Sequence, residues 1–204
     1  CETYPNDPNY RVMTGNWLMQ NDRKKEAYEL YQSVLKEEPN NAMALASMYD
    51  YYMATQDSLQ AKSIMERILL SDKSDSKMKQ SMIRQFIQTN EQSGGDSIKV
   101  LKMFDEVMKT SPNDAAIAEL KVAYMSLKKM PTAAIDSAIV NLLNIAPDNK
   151  GARIQLLQDV WASKDWLRII DLCNTGLAFN PDEMGFYYFM SMAYIQLDKT
   201  NLVI

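Results

Sequence analysis

The sequence predicts an all-α protein in which pairs of antiparallel helices recur along the chain. Between Tyr10 and Asn41, apolar residues with helical spacing form two stripes, separated by the polar segment 20–25. The second stripe stops before Pro39, which cannot continue a helix. A proline followed by Asn or Asp then recurs at a nearly constant period. Because two short helices cannot bury both apolar faces alone, each pair must stack on its neighbours.

The repeat period follows from these prolines. They are separated by 34, 73, 35 and 34 residues, at Pro5, Pro39, Pro112, Pro147 and Pro181. The long interval holds two units, because Lys73 stands one period after Pro39. The sequence therefore predicts about 11 helices, in five pairs and a further first helix. These units cover 8–41, 42–75, 76–114, 115–149, 150–183 and 184–204.

Small and aromatic residues occupy matching places in these units. The first unit carries Gly15, Leu18, Ala27, Tyr31 and Pro39, and the second carries Leu45, Met48, Tyr52, Ala61 and Met65. The fifth is a looser match, with Leu156, Val160, Ile169, Cys173, Leu177 and Pro181. This pattern and its period resemble the tetratricopeptide repeat (TPR) family. The resemblance covers nearly the whole chain and implies a single array over 1–204, wound as a right-handed superhelical solenoid.

The first two units predict four helices and their caps. In the first unit we expect helices near 9–20 and 24–37, with Asp22 as the N-cap of the second helix. In the second unit we expect helices near 42–55 and 58–71, with Asp57 or Ser58 as the N-cap.

The later units add three local expectations. The third is five residues too long, and the glycines within 89–96 predict a lengthened turn before a helix capped by Asp96 or Ser97. Pro131 is expected at the start of a helix, where a missing N–H costs little. Cys173 falls on an apolar stripe and is expected to be buried.

The two ends of the chain give expectations about a longer parent protein. Pro5 keeps the repeat phase, so 1–7 are expected to be the tail of a preceding repeat. The rival interpretation makes Cys1 the acylated first residue of a mature lipoprotein. In 184–204 apolar residues fall on most turns, which predicts an array that is cut at both ends. The alternative is a natural end that dimerises through its exposed apolar face.

Composition and motifs exclude several function classes. The formal net charge is −4, which argues against a nucleic-acid surface. No run approaches 18 apolar residues, so no transmembrane helix is expected. With no histidine, His-dependent catalytic sites and zinc sites are excluded. We expect no catalytic residues, metal or cofactor, and a soluble protein of the cytoplasm or the periplasm.

The resemblance implies that a peptide of a partner protein lies against the first helices of successive units. By phase, the candidate partner-binding residues are Asn16, Asp50, Lys77, Ser81, Arg84, Gln155 and Gln158. One TPR subclass holds a C-terminal carboxylate with Lys and Asn residues. Its matching positions here are Val12, Asn16, Ser47, Lys77 and Ser81, and only Asn16 and Lys77 fit. The carboxylate clamp is therefore incomplete.

Lys77 and Arg84 lie seven residues apart and form a basic patch on one helix face of an acidic protein. We expect them to contact an acidic group of the partner, although a merely solvated face has the same pattern. The sequence thus predicts a non-catalytic protein–protein interaction scaffold. The alternative is a structural array that self-associates as a homodimer through terminal apolar faces.

Overall fold

The computed structural model describes residues 7–201, and this part of the chain is all-helical, as expected. It contains eleven helices and no strand. In chain order they are α1 (Pro8–Gln20), α2 (Lys24–Glu37), α3 (Ala42–Ala54), α4 (Ser58–Leu70), α5 (Ser76–Gln92), α6 (Ser97–Thr110), α7 (Ala115–Leu127), α8 (Thr132–Ile145), α9 (Lys150–Ala162), α10 (Trp166–Phe179) and α11 (Met184–Asn201). The expectations for Cys1, for 1–6 and for the last residues, 202–204, lie outside the described residues.

The helices belong to two compact units. The first unit is Cys1–Pro112 and holds α1 to α6, and the second is Asn113–Ile204 and holds α7 to α11. Within each unit every helix packs on the next one along the chain, and α4 also contacts α6. The four helices expected in the first two repeats agree with α1 to α4 to within one residue at each end.

Each helix pair turns through a residue with a positive φ. After α1, the N–H of Asp22 donates to the carbonyl of Met19, and the N–H of Arg23 donates to the carbonyl of Leu18. This is the Schellman pattern, whose central residue has a positive φ. Asp22 has φ 60° and α2 starts without a side-chain cap, so the expectation that Asp22 is its N-cap is wrong. The other turns place Gln56, Gly94, Lys129 and Lys164 at this position.

Most helix starts are capped by the side chain of Asp or Asn. Asp57 and Asp96 cap α4 and α6, as expected. Pro131 directly precedes the first residue of α8. Its predicted place at the start of a helix is therefore confirmed. These caps satisfy backbone N–H groups that the helix itself leaves without partners.

The extra residues of the third repeat lengthen its first helix, α5. α5 has 17 residues, whereas α1, α3, α7 and α9 have 13 each. Residues 89–92 continue α5, so the expectation of a lengthened turn over 89–96 is wrong, although Gly94 and Gly95 do lie in the turn. Within this extension, the buried side chain of Asn90 donates to the carbonyl of Asp96 across the turn.

The second helices of all five pairs bury the same three positions. Counted from the first residue of the helix, these are the fourth, the eighth and the eleventh. The residues are Ala27, Tyr31 and Val34 in α2; Ala61, Met65 and Ile68 in α4; Val100, Phe104 and Val107 in α6; Ile135, Ile139 and Leu142 in α8; and Ile169, Cys173 and Gly176 in α10. Cys173 is buried as expected, and burial raises its pKa to about 11. The pairs therefore repeat in structure as well as in sequence.

Candidate partner-binding surface

The candidate residues lie at equivalent positions of the first helices, and we call the side of each first helix that carries these positions its first-helix face. The ninth residue of the helix recurs most often among them. The ninth positions are Asn16, Asp50, Arg84 and Gln158, the sixth are Ser81 and Gln155, and the second is Lys77. In the first unit the face is carried by α1, α3 and α5, and in the second unit by α9.

In the first unit, Asn16 binds the hydroxyl group of Tyr31, and Asp50 lies near enough for its charge to act on that group. The ring of Tyr31 is buried, and its hydroxyl donates a hydrogen bond of 2.7 Å to Oδ1 of Asn16. Ser47 of α3 lies near enough to this hydroxyl group to affect its pKa. The structure thus joins three predicted positions into one polar group, the Tyr31 cluster, which consists of Asn16, Tyr31, Ser47 and Asp50.

The electrostatics of the Tyr31 cluster follow from its partial burial. Burial raises the pKa of Tyr31 to about 12, the hydrogen bond with Ser47 acts in the opposite direction, and the charge of Asp50 adds to the rise. Asp50 itself remains exposed at the edge of the cluster, and partial burial of its carboxyl group raises its pKa. The cluster therefore presents an anionic group and hydrogen-bonding groups on one surface.

The three candidates on α5 form an exposed stripe. Lys77, Ser81 and Arg84 are exposed, and their spacing of four and three residues puts them on one side of the helix. The buried side of α5 carries Met82 and Ile83. Within residues 7–198, neither Lys77 nor Arg84 forms an ion pair. Both cations are therefore available to an anionic ligand.

The two glutamines of α9 differ in availability. The amide of half-buried Gln155 donates to Oγ of Ser126 at 3.1 Å, which links α9 to α7. Gln158 is exposed one helical turn further on. The whole amide group of Gln158 is therefore available to a ligand, whereas one amide N–H of Gln155 is already used.

Cationic side chains at the fourth position of three first helices were missed by the sequence analysis. Lys79 is buried, and its Nζ lies 2.6 Å from Oγ of Ser111 at the end of α6. Arg153 is buried, donates to the carbonyl of Pro147 at 3.0 Å, and has its pKa lowered by burial. Arg11 pairs with Glu37 at the end of α2. The recurrence of a cation at one repeat position was the signal that could have revealed them.

A cleft between α4, α5 and α6 was also missed. It has two adjoining lobes of about 270 and 250 Å³. Both lobes are lined by Lys62, Met65, Phe86 and Lys99. We call it the α4–α6 cleft. The extra length of the third repeat was the sequence signal for an irregularity here.

One pair of carboxyl groups bridges two helices in the second unit. Asp136 of α8 lies near enough to Asp159 of α9 for the two carboxyl groups to affect each other. Burial raises the pKa of Asp136, and the nearby Asp159 raises it further, while Arg168 of α10 opposes both. Among the described residues, no three His, Cys, Asp or Glu side chains are placed to hold a metal ion. None of the helices within 7–201 combines the length and apolarity needed to cross a bilayer.

No family model matches the chain, and no curated protein matches its sequence.

Proposed function

We propose that the chain is a TPR-like, right-handed array of helix pairs that binds an extended peptide segment of a partner protein without catalysing a reaction. The support is the shared register of the five pairs, in which the second helices bury their fourth, eighth and eleventh residues. In α1, α3, α5 and α9 the ninth residue of the helix is polar or charged. Repeated surfaces of this kind suit extended ligands.

The observation that carries the proposal is the exposed stripe on α5. Lys77 and Arg84 are cations without an ion-pair partner among the described side chains, in a protein of formal net charge −4. Arg can grip a carboxylate through two parallel hydrogen bonds, and Lys adds a point charge. The peptide therefore carries an acidic side chain or a terminal carboxylate opposite α5, and the Tyr31 cluster supplies hydrogen bonds to its backbone.

The test uses a random peptide library displayed on phage and selected on the protein. We expect the selected peptides to share an acidic residue and to bind about tenfold or more weakly to the double variant Lys77→Glu/Arg84→Glu. The matched control is Lys25→Glu/Lys102→Glu. It makes the same charge change at exposed positions of two second helices, α2 and α6. Equal losses in both variants, or a library that yields no binder, would refute the proposal.

Self-association, the alternative from the sequence, is supported by exposed apolar side chains on α11. Met184 is 74% exposed, Tyr188 62% and Tyr194 51%. Sedimentation distinguishes the two functions. A monomer at micromolar concentration that binds selected peptides supports the scaffold. A dimer that Tyr188→Glu dissociates supports self-association.

A further inference from the structure

The irregular third repeat creates the α4–α6 cleft. The helix pair α5–α6 is joined by polar contacts near both ends. Lys79 reaches Ser111 at one end, and Asn90 reaches the carbonyl of Asp96 at the other. Between these contacts α5 and α6 pack less extensively than α1 and α2 or α3 and α4 do. The space that remains is bounded on its third side by α4.

The walls of the larger lobe are mainly apolar. This lobe, of about 270 Å³, runs along α4 and α6 from the two lysines towards the ends of both helices. Its apolar lining is Met65, Leu69, Leu70, Phe86, Met103 and Val107. The side chain of Leu70 remains 46% exposed. An apolar ligand that covered it would remove apolar surface from water, which favours binding. From Lys62 to Leu70 the wall is about 12 Å long, at 1.5 Å per helical residue.

The charged groups of this lobe are not equivalent. Glu106 accepts a hydrogen bond of 2.6 Å from Lys109, and Glu66 lies 3.6 Å from Lys62. Lys99 has no such partner among the described carboxylates, and its Nζ stands 5.8 Å from the centre of the Phe86 ring. The free positive charge of Lys99 therefore lies where the two lobes adjoin, together with Lys62 of α4.

We propose that the α4–α6 cleft binds a single-chain fatty acid, with its carboxylate at Lys99 and Lys62 and its hydrocarbon chain in the larger lobe. The unpaired charge of Lys99 selects an anionic head, whereas Lys62 shares its charge with Glu66 and adds a further hydrogen-bond donor. The larger lobe, about 12 Å long, fits one unbranched chain of about the length of decanoate. This site is separate from the first-helix face and does not depend on peptide binding there.

The first experiment is calorimetric titration of the full chain with octanoate, decanoate and decanol, each below its micelle concentration or solubility limit. We expect saturable binding of one molecule. Decanoate should bind about tenfold more tightly than octanoate, because each buried methylene adds a constant free energy. Decanol should bind about tenfold more weakly than decanoate, since it lacks the charge. No saturable binding of decanoate, or equal binding of decanol, would overturn the proposal.

Charge reversal tests the head site. Lys62 and Lys99 are exposed, so Lys62→Glu/Lys99→Glu is expected to fold, as circular dichroism would check. This variant should lose decanoate binding and gain binding of decylammonium. The control Lys102→Glu, on the same helix but outside the lobe, should bind decanoate as the unmodified protein does. If the reversed variant still binds decanoate, or if the control loses it equally, the assignment of the lysines is wrong.

A second variant tests the chain site independently of charge. Met103→Trp puts a larger side chain into the lobe while leaving both lysines in place. We expect at least a tenfold loss of decanoate affinity without a fall in melting temperature. Unchanged decanoate affinity in this variant would refute the larger lobe as the site of the chain.

Discussion

Gly15 of α1 faces the ring of Tyr31 of α2 so closely that residue 15 has no room for a side chain. A Cβ atom there would lie 3.0 Å from Cδ1 and 3.1 Å from Cζ of the ring, and closer still to Cε1. Because Tyr31 is buried and hydrogen-bonded, its ring has no free space to move into. Glycine at position 15 therefore allows α1 to lie this close to the ring of Tyr31.

Gly15→Ala is therefore expected to lower the free energy of unfolding by about 1 to 2 kcal/mol, because overpacking outweighs the gain in helix propensity. Gly151→Ala is the control. Its Cβ would meet only Oδ1 of Asn149, at 3.6 Å, so this variant should stabilise by about 0.5 kcal/mol. Urea denaturation followed by circular dichroism measures both. A Gly15→Ala protein as stable as the control would contradict the close contact.

Removing the hydroxyl group of Tyr31 tests the Tyr31 cluster. Tyr31→Phe leaves Oδ1 of Asn16 without its 2.7 Å donor, and we expect a loss of about 1 kcal/mol. Tyr188→Phe, at an exposed position, should leave the stability unchanged. Thermal denaturation of the two variants would show the difference, and equal melting temperatures would exclude a role of the hydroxyl in stability.

Lys164, in the turn between α9 and α10, has φ 58°, a conformation that favours glycine. Lys164→Gly is expected to raise the free energy of unfolding by about 0.5 to 1 kcal/mol, because the left-handed conformation costs glycine little. Ala162→Gly, at the last residue of α9, should lower it by a similar amount. Chemical denaturation tests the pair, and destabilisation by Lys164→Gly would argue against this turn geometry.

The positions of the helices were largely predictable, whereas their irregularities were not. Pro39 and the apolar spacing located α1 to α4 to within one residue. The turns were less predictable, because Asp22 suits both an N-cap and a left-handed position, and only the backbone path decides between them. The length of α5 was missed because Gly94 and Gly95 mark where the helix has ended without showing that the helix itself is longer.

Exposure of the candidate surface was predictable only in part. Lys77 and Arg84 are exposed as their phase on one helix face implied. The sequence could not show that Asn16 accepts from Tyr31 or that Gln155 donates to Ser126. Such bonds depend on side chains that are 15 and 29 residues apart in the chain and meet only after packing. The burial of Lys79 could not be predicted either, because its partner Ser111 also meets it only after packing.

Asp136 gives the second unit a predictable pH dependence. Its folded-state pKa is raised, so its contribution to stability is present below the pKa of the unfolded chain, about 3.9, and is lost as the pH rises through the folded-state value. At pH about 7 the charge therefore opposes folding. Asp136→Asn removes that charge and can still donate to Asp159.

We expect Asp136→Asn to stabilise the protein by about 0.5 to 1 kcal/mol near neutral pH and by progressively less towards pH about 4. Asp182→Asn, at an exposed loop position, should show no such pH-dependent gain. Melting temperatures across this range are the measurement. A constant difference at all pH values would contradict the assignment.

The central claim is that a partner peptide lies on the first-helix face, and nuclear magnetic resonance tests it most directly. An isotope-labelled protein would be titrated with a peptide selected from the library. The account predicts that the largest shifts of backbone amide signals fall on α1, α3 and α5, around Asn16, Asp50 and Arg84. Largest shifts on α2, α4 and α6 instead would contradict it.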